Sequence, residues 1–237
     1  MKIVITGSKG FIGSHLVKSL KEHDIIEWDI KIDKDIKYFN LEPNVDFVVH
    51  LAGLTSPRDS IDEPMKYWEQ NVQYSKKIFD MCEDIPMVYA SSAAAKEYWR
   101  SPYGTTKKVL EELAHSGQIG LRFETIFGDG ASDISLIGRI KNGTIKYKTN
   151  HIRDFVHIDD VVDCIKMFIN FNQYVFNLDN VYEVGTGTEY KVEDVVSHFG
   201  IDVPLKYGDD VEIFKSVADV IAINKLGWKN KSTIYDS

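Results

Sequence analysis

The apolar run Lys2-Ile3-Val4-Ile5-Thr6 passes straight into Gly7-Ser8-Lys9-Gly10-Phe11-Ile12-Gly13, and an amphipathic stretch follows. Few arrangements of chain need three glycines, spaced three apart, at a strand-to-helix turn. Glycine is required where the backbone turns tightly, where it approaches a pyrophosphate, and where helix and strand touch. The start of the helix offers unpaired N–H groups and a partial positive charge to phosphate oxygens. Gly7, Gly10 and Gly13 are therefore candidate contacts to a dinucleotide; an ordinary glycine-rich turn is the plainer reading. Asp29 stands 22 residues beyond Gly7, at the end of the next apolar run. An acid about 20 residues on accepts hydrogen bonds from the adenosine ribose and repels a 2′-phosphate, which favours NAD over NADP. Asp33 and Asp35 lie close by, and a solvated loop carboxylate is the alternative for Asp29.

The rest of the first half alternates apolar runs with helical patterns, as βαβ units of a parallel sheet do. The predicted strands are Lys2–Thr6, Ile25–Asp29, Ile36–Phe39, Asp46–Leu51, Met87–Ala90 and Ile119–Phe123. Several are apolar without alternation, as strands covered on both faces are. Predicted helices are Phe11–His23, Pro64–Met81 and Pro102–His115, the last two opening on proline. Only six residues separate the second and third runs, too few for a helical crossover. A bare loop, or a third strand placed unusually, is expected there. Beyond Gly128 the pattern is irregular, then resumes with Arg153–His157, a helix at Asp159–Phe171, a strand near Tyr182–Val184 and a helix at Val192–Phe199. The fold class expected is α/β: a Rossmann-like, doubly wound parallel sheet with a small, reduced C-terminal substrate lobe. Residues 1–130 plus 151–188 would form the dinucleotide-binding domain, and 131–150 plus 189–237 the lobe.

Composition narrows the partners. With 28 basic against 36 acidic residues the net charge is −8, which disfavours nucleic acid and anionic membrane. No apolar run reaches the roughly 18 residues that span a bilayer. Two cysteines, Cys82 and Cys164, are too few for a disulfide scaffold, and Lys2–Thr6 reads as a strand rather than a signal peptide, so a cytoplasmic protein is expected. The seven histidines show no His-x-x-x-His or cysteine pairing, so no metal site is expected. His50 reads as structural.

A second constellation is Tyr103-Gly104-Thr105-Thr106-Lys107. At i and i+4 on a helix, phenol and ammonium share a face. A cation ~4 Å away at an effective dielectric near 20 is worth ~4 kcal/mol to a phenolate, roughly three pKa units, taking a tyrosine from ~10 towards ~7. A base titrating near the working pH suits proton transfer with a sugar hydroxyl. Alone, Tyr-x-x-x-Lys is common. Here Ser92 stands eleven residues earlier, just past the carboxyl end of a buried strand, where open parallel sheets bind ligands. Ser91 and Ser92 can equally cap a helix.

With these residues the chain resembles the extended short-chain dehydrogenase/reductases, and among them the NAD-dependent nucleotide-sugar epimerase/dehydratase group. The matching stretches run almost end to end: Thr6–Gly13; His50-Leu51-Ala52-Gly53; Asn71 after Asp62-Glu63-Pro64; Ser91-Ser92; Ser101-Pro102-Tyr103-Gly104 with Lys107; Leu121-Arg122-Phe123; Arg153 to Val161; Val184-Gly185-Thr186-Gly187; and Leu226-Gly227-Trp228. The resemblance implies that Tyr103 is the general base, that Lys107 lowers its pKa and holds the nicotinamide ribose, and that Ser92 is the hydroxyl partner. It gives the N–H groups of Phe11 and Ile12 to the pyrophosphate, and Leu51, Ala52 and Gly53 to the nicotinamide side, with Asn71 nearby. Asn40 and Leu41 fall where the group has an acid and an apolar residue against the adenine. Arg153 matches the arginine that grips the nucleotide diphosphate, and Thr125 stands where an asparagine often meets it. Asp159 reads rather as a helix N-cap.

Asn40 departs from the pattern on the adenine side, and the other departures fall on the substrate side. Ala93-Ala94-Ala95-Lys96-Glu97 leads directly to Tyr103, which shortens the lid; Ala93-Ala94 stand where sugar dehydratases carry Asp-Glu; Glu183 replaces a frequent asparagine; and Leu205–Asp219 holds no arginine. An NAD-dependent nucleotide-sugar epimerase, transiently oxidising one sugar carbon (C4 favoured), is the leading expectation. An NAD(P)H-dependent keto-sugar reductase and a non-catalytic dinucleotide-binding sensor are the alternatives. The helices at Pro64–Met81 and Pro102–His115 are those that pair across a two-fold axis in the group, so a homodimer is expected.

Overall fold

The structure, a computed structural model, describes residues 1–208 and 210–236. Asp209 and Ser237, both in the expected lobe, lie outside the described residues.

Six strands form one parallel sheet: β1 Lys2–Thr6, β2 Asp24–Trp28, β3 Phe47–His50, β4 Met87–Ser92, β5 Gln118–Phe123 and β6 Val181–Val184. Their order across the sheet is β6-β5-β4-β3-β1-β2, every pairing parallel. The chain thus winds outward from β1 in both directions, and the gap between β1 and β3 is the switch point beyond whose carboxyl ends such sheets bind ligands.

Side chains of β1 alternate between two apolar layers. Ile3 and Ile5 join Val49, Val88 and Leu121 on one face, under helices α1 (Phe11–Ser19) and α7 (Ile158–Phe171). Val4 joins Val48, Met87 and Tyr89 on the other, under Ile78 and Phe79 of α4 (Tyr74–Met81) and Leu110 of α5 (Pro102–Leu113). Covering on both faces is what makes these strands uniformly apolar. The Rossmann-like, doubly wound sheet expected from the pattern is the fold observed.

Several expected elements differ. Ile36–Phe39 is no strand: the β2–β3 connection carries two 3₁₀ turns, Ile30–Ile32 and Ile36–Tyr38. Asp29 and Asp35 accept the N–H groups of Lys31 and Lys37, two residues on, which curls the backbone locally, and Ile36 and Phe39 bury in the second layer instead. The helix expected over Pro64–Met81 is α3 (Pro64–Trp68), a π-helical turn at Glu69–Gln73, then α4. Before it stands the short helix α2, Pro57–Asp62. His157, not Asp159, caps α7: its Nδ1 accepts the Asp159 N–H at 3.2 Å, placing Asp159 inside the first turn.

Beyond the sheet, α6 (Leu136–Lys141), α8 (Val192–His198) and short pairings build a smaller layer. Ile152–Arg153 pairs with both Tyr190–Lys191 and Lys215–Ser216, and Thr125–Phe127 pairs with Phe155–His157. Phe127, Ile137, Phe155, Val195 and Ile234 form its own apolar cluster. Among the described residues no helix is long and apolar enough to cross a membrane.

Candidate active site

The β1–α1 turn is a close-packed cradle. Gly7 has φ +69°, and a Cβ there would lie 2.7 Å from the Ala52 nitrogen. At Gly13 a Cβ would lie 2.1 Å from the Gly7 carbonyl oxygen, so only glycine lets α1 approach the turn. Gly10 precedes α1 and no side chain caps it, which leaves the first-turn N–H groups of Phe11, Ile12 and Gly13 for an outside acceptor. Asp29, buried at the end of β2, accepts from the Lys9 N–H at 2.9 Å and the Lys31 N–H at 2.8 Å. Its carboxylate is thereby fixed beside the glycine turn, with lone pairs left for a further donor. An uncapped helix start, glycines that a Cβ would clash at and a fixed acid fit a bound dinucleotide. Asn40 is exposed and Leu41 packs against the second apolar layer.

At the end of β3 the chain folds back onto β1. The Leu51 N–H donates to the Thr6 carbonyl at 3.1 Å and the Ala52 N–H to Thr6 Oγ1 at 3.2 Å. His50 is buried between Thr6 Oγ1 (2.7 Å) and Ser75 Oγ (2.8 Å), and burial, with Lys107 nearby, pulls its pKa down to about 3. It is a neutral structural histidine. Gly53, Asn71 and Lys107 converge: a Cβ on Gly53 would stand 3.0 Å from Asn71 Oδ1 and 3.7 Å from Lys107 Nζ. Asn71 sits in the π-helical turn, a distortion common at functional sites. Its amide spans Leu54, accepting from the N–H at 2.8 Å and donating to the carbonyl at 2.9 Å, and reaches Thr106 Oγ1 at 3.2 Å. Asn71 therefore pins the Leu54 loop, a task the sequence pattern does not disclose.

Ser92 ends β4 and Tyr103 opens α5, where Ser101 Oγ caps by accepting the Gly104 N–H at 3.1 Å. The Tyr103 N–H donates to Ser60 Oγ of α2 at 3.1 Å, and its ring meets Tyr67 edge to face at 6.4 Å. Lys107, one turn on, is buried, with Nζ 5.9 Å from the Tyr103 ring centre and 2.7 Å from the Ala90 carbonyl. The helix brings the two onto one face, as the spacing predicts. The pKa expectation does not hold: burial pushes Tyr103 up to about 12, with Ser92 acting the other way. Burial also pulls Lys107 down to about 8 against the opposing pull of Glu111. Burial governs the phenol, and the Lys107 ammonium donates to the Ala90 carbonyl instead. Ser92 does cap, accepting the Ala94 N–H at 3.2 Å, whereas Ser91 donates to Glu111 at 2.6 Å.

Above Tyr103 lies a cavity of about 200 Å³ whose walls include Thr55, Ser92, Thr125, Arg153, Glu212 and Ser216. The structure thus gathers Ser92, Tyr103, Thr125 and Arg153 in one pocket. Arg153 is engaged by the protein itself: it donates to the Ile152 and Phe214 carbonyls at 3.0 and 3.2 Å and to Glu212 at 3.3 Å.

The sequence reading missed a partly buried ion network at the wall of this pocket, which Glu124 and Ser216 line. Lys96 Nζ donates to Glu124 (2.9 Å), Glu183 (3.0 Å) and the Val217 carbonyl (2.9 Å). Arg122 grips Glu111 through two hydrogen bonds at 2.8 and 2.7 Å, and Ser216 donates to Glu124 at 2.6 Å. Lys96 and Glu183 stand out in the sequence as departures, but only the fold brings them together; the i+4 spacing of Glu111 from Lys107 is the one local signal.

A parallel sheet wound outward from β1, a glycine cradle at its switch point and a Tyr–Lys pair facing a serine at the β4 end define an extended short-chain dehydrogenase/reductase. The family model described as "NAD dependent epimerase/dehydratase family" matches residues 3–185, and the chain belongs to that family, whose cofactor is NAD. The ADP-L-glycero-D-manno-heptose-6-epimerase of Cupriavidus pinatubonensis is 29% identical over 258 residues, covering 82% of this chain and 76% of that protein. A putative UDP-glucose 4-epimerase of Methanocaldococcus jannaschii is 26% identical over 288 residues, covering 96% and 92%. That alignment is longer than this chain's 237 residues, so the relative carries segments that this chain lacks. Among solved structures, MoeE5 in complex with UDP-glucose and NAD superposes with a TM-score of 0.86 at 26% identity, over 100% of this chain and 95% of that one.

Proposed function

We propose that this protein is an NAD-dependent nucleotide-sugar epimerase that inverts one carbon of the sugar, with C4 the favoured position. The observation that carries the reading is the placing of Ser92 and Tyr103 in the wall of a polar pocket, with Lys107 one turn below the phenol. Gly7, Gly10 and Gly13, with the N–H groups of Phe11 and Ile12, would take the pyrophosphate of NAD, and Asp29 the adenosine ribose. Asn40 and Leu41 are assigned to the adenine side. Leu51, Ala52 and Gly53 would line the nicotinamide, with Asn71 nearby and Lys107 at its ribose. Thr125 and Arg153 are assigned to the nucleotide diphosphate.

Bound NAD supplies a hydride acceptor that gives the hydride back within the same turnover. Tyr103 removes the proton of the sugar hydroxyl as the carbon is oxidised and returns it after the keto-sugar presents its other face. Ser92 donates a hydrogen bond to the same sugar oxygen, which stabilises charge there. Lys107 favours the phenolate electrostatically, against the burial that keeps Tyr103 protonated. Ala93 and Ala94, which follow Ser92 directly, offer no acid or base to expel water, so epimerisation is favoured over dehydration.

The lobe assigned to substrate comprises residues 131–150 plus 189–237. The two free cysteines, both buried, suit a reducing, cytoplasmic setting. The shallow apolar groove formed by Trp68, Val72, Met81, Val109 and Leu113 on α3–α5 is the face assigned to a homodimer.

The test is turnover of a nucleotide-sugar panel by the NAD-loaded protein, with products resolved by NMR. An epimer forms without net change in reduced-nicotinamide absorbance, and Tyr103→Phe lowers the rate at least about 100-fold. Stoichiometric oxidation of added NADH would instead establish a reductase, and binding of NAD without turnover a sensor.

A further inference from the structure

Glu212, in the wall of the pocket, sits between two guanidinium groups: Arg153, which also lines the pocket, and Arg58, outside its lining. Arg58, on α2, donates from Nε to Oε1 at 2.9 Å, and Arg153 donates to Oε2 at 3.3 Å. Each carboxylate oxygen thus faces its own arginine. Arg58 precedes Tyr103 by 45 residues and Glu212 follows it by 109, so only the fold assembles the trio.

The cavity is small for the ligand proposed. At about 200 Å³ it falls below the roughly 300–1,000 Å³ of ordinary ligand pockets, and Val211, Glu212 and Ile213 all contribute to its wall. The backbone behind Glu212 is fastened: Lys215–Ser216 pairs with Ile152–Arg153, and the Phe214 carbonyl accepts from both the Ile152 N–H (3.0 Å) and Arg153 (3.2 Å). The Glu212 side chain is freer, with 31% of its surface exposed, so it can turn towards water without moving the chain.

We infer that Arg58 and Arg153 together form an anion subsite for the nucleotide diphosphate, and that Glu212 is its internal place-holder, displaced when that diphosphate binds. The inference rests on the nucleotide-sugar reading above and adds Arg58 to the binding residues. A diphosphate brings more negative charge and more acceptor oxygens than one carboxylate, and guanidinium forks match phosphate geometry. The exchange is therefore favourable, but it returns part of its gain in breaking two ion pairs. A ligand that does not enter the subsite leaves the three side chains paired, so Glu212 tempers affinity only for ligands that bring a phosphate to the two arginines.

The experiment is calorimetric titration of the NAD-loaded protein with UDP and, separately, with uridine. Glu212→Gln keeps the shape of the side chain and removes the competing charge. It binds UDP about five- to ten-fold more tightly than wild type, in keeping with loss of a partly exposed ion pair, while uridine affinity is the same for both. Adding Arg58→Ala to Glu212→Gln weakens UDP binding about ten-fold again. Thermal melting confirms that each variant is folded. Equal or weaker UDP binding by Glu212→Gln overturns the inference and leaves the epimerase reading standing, because it makes Glu212 an organiser of the arginines or a bystander. A tighter grip on uridine as well as UDP also overturns it. If wild type neither binds UDP nor turns over any nucleotide sugar, the epimerase reading falls and takes this inference with it.

Discussion

Lys107 gives its ammonium to the Ala90 carbonyl at 2.7 Å while lying 5.9 Å from the centre of the Tyr103 ring. The pair is joined by a helix turn, yet each side chain answers first to its burial. Lys107 is held at about 8, against 10.5 for a free lysine. Between those values the unfolded chain binds the proton more than the folded one, so stability rises with pH across that window. Relative to Lys107→Met, wild type gains up to about 3 kcal/mol as pH climbs from 8 towards 10.5. Tyr103, raised to about 12, works against this only above about pH 10. Urea denaturation of both proteins at pH 7.5, 8.5 and 9.5 reads the difference; a difference that stays flat would show that Lys107 is not desolvated.

Lys96 neutralises a carboxylate that water barely reaches: the Glu124 side chain is 2% exposed. Burial pushes the Glu124 carboxyl up, with Lys96 and Ser216 resisting. Lys96→Met leaves that acid unpaired and costs on the order of 3 kcal/mol at pH 7.5. Glu124→Gln in the same chain restores part of the loss, because the uncompensated charge is gone. Denaturant midpoints of the two single variants and the double variant decide it: strict additivity would mean that the two residues do not interact.

What the sequence disclosed and what it hid follow from the range of the forces involved. The strands expected at Lys2–Thr6 and Met87–Ala90 and the helix expected at Pro102–His115 were legible to within two residues because apolar runs and an opening proline act locally. The glycine turn was legible because its steric need is local. Ile36–Phe39 misled because a β-branched, aromatic run reads as strand, whereas two Asx turns and burial under α4 decide its course. The π-helical turn at Asn71 has no periodic signature. The Lys96 network joins residues up to 121 apart and lies beyond any spacing argument. The acidity of Tyr103 was misjudged because spacing gives the neighbour but not the desolvation.

Gly13 is the glycine of the cradle with the least room, since its missing Cβ would overlap the Gly7 carbonyl oxygen at 2.1 Å. Gly13→Ala must push α1 away from the turn, at a cost of about 1–3 kcal/mol. The displaced helix start can no longer present its N–H groups to a pyrophosphate, so NAD affinity falls at least about ten-fold. Fluorescence titration with NADH and thermal melting measure the two effects. Retained affinity in a melted-down variant would separate the packing role of Gly13 from cofactor binding.

Trp68, Met65 and Met81 are 37%, 74% and 39% exposed, on the outer side of the α3–α5 layer. Scattered apolar side chains at a surface need no explanation, but Trp68 and Met81 line one groove with Val72, Val109 and Leu113, edged by Lys76, Lys77 and Asp80, whereas Met65 lies outside it. A second copy of the same face would cover it in a two-fold contact, in which each groove receives its counterpart. Trp68→Glu places a carboxylate where it would be desolvated twice, once per protomer, and removes the largest apolar side chain of the contact. Light scattering then gives a dimeric mass for wild type and a monomeric mass for the variant at equal concentration. Because Trp68 is more than a third exposed, the variant keeps its thermal midpoint within a few degrees once the dimer contribution is allowed for. A monomeric wild type, or a variant that remains dimeric, would place the interface elsewhere.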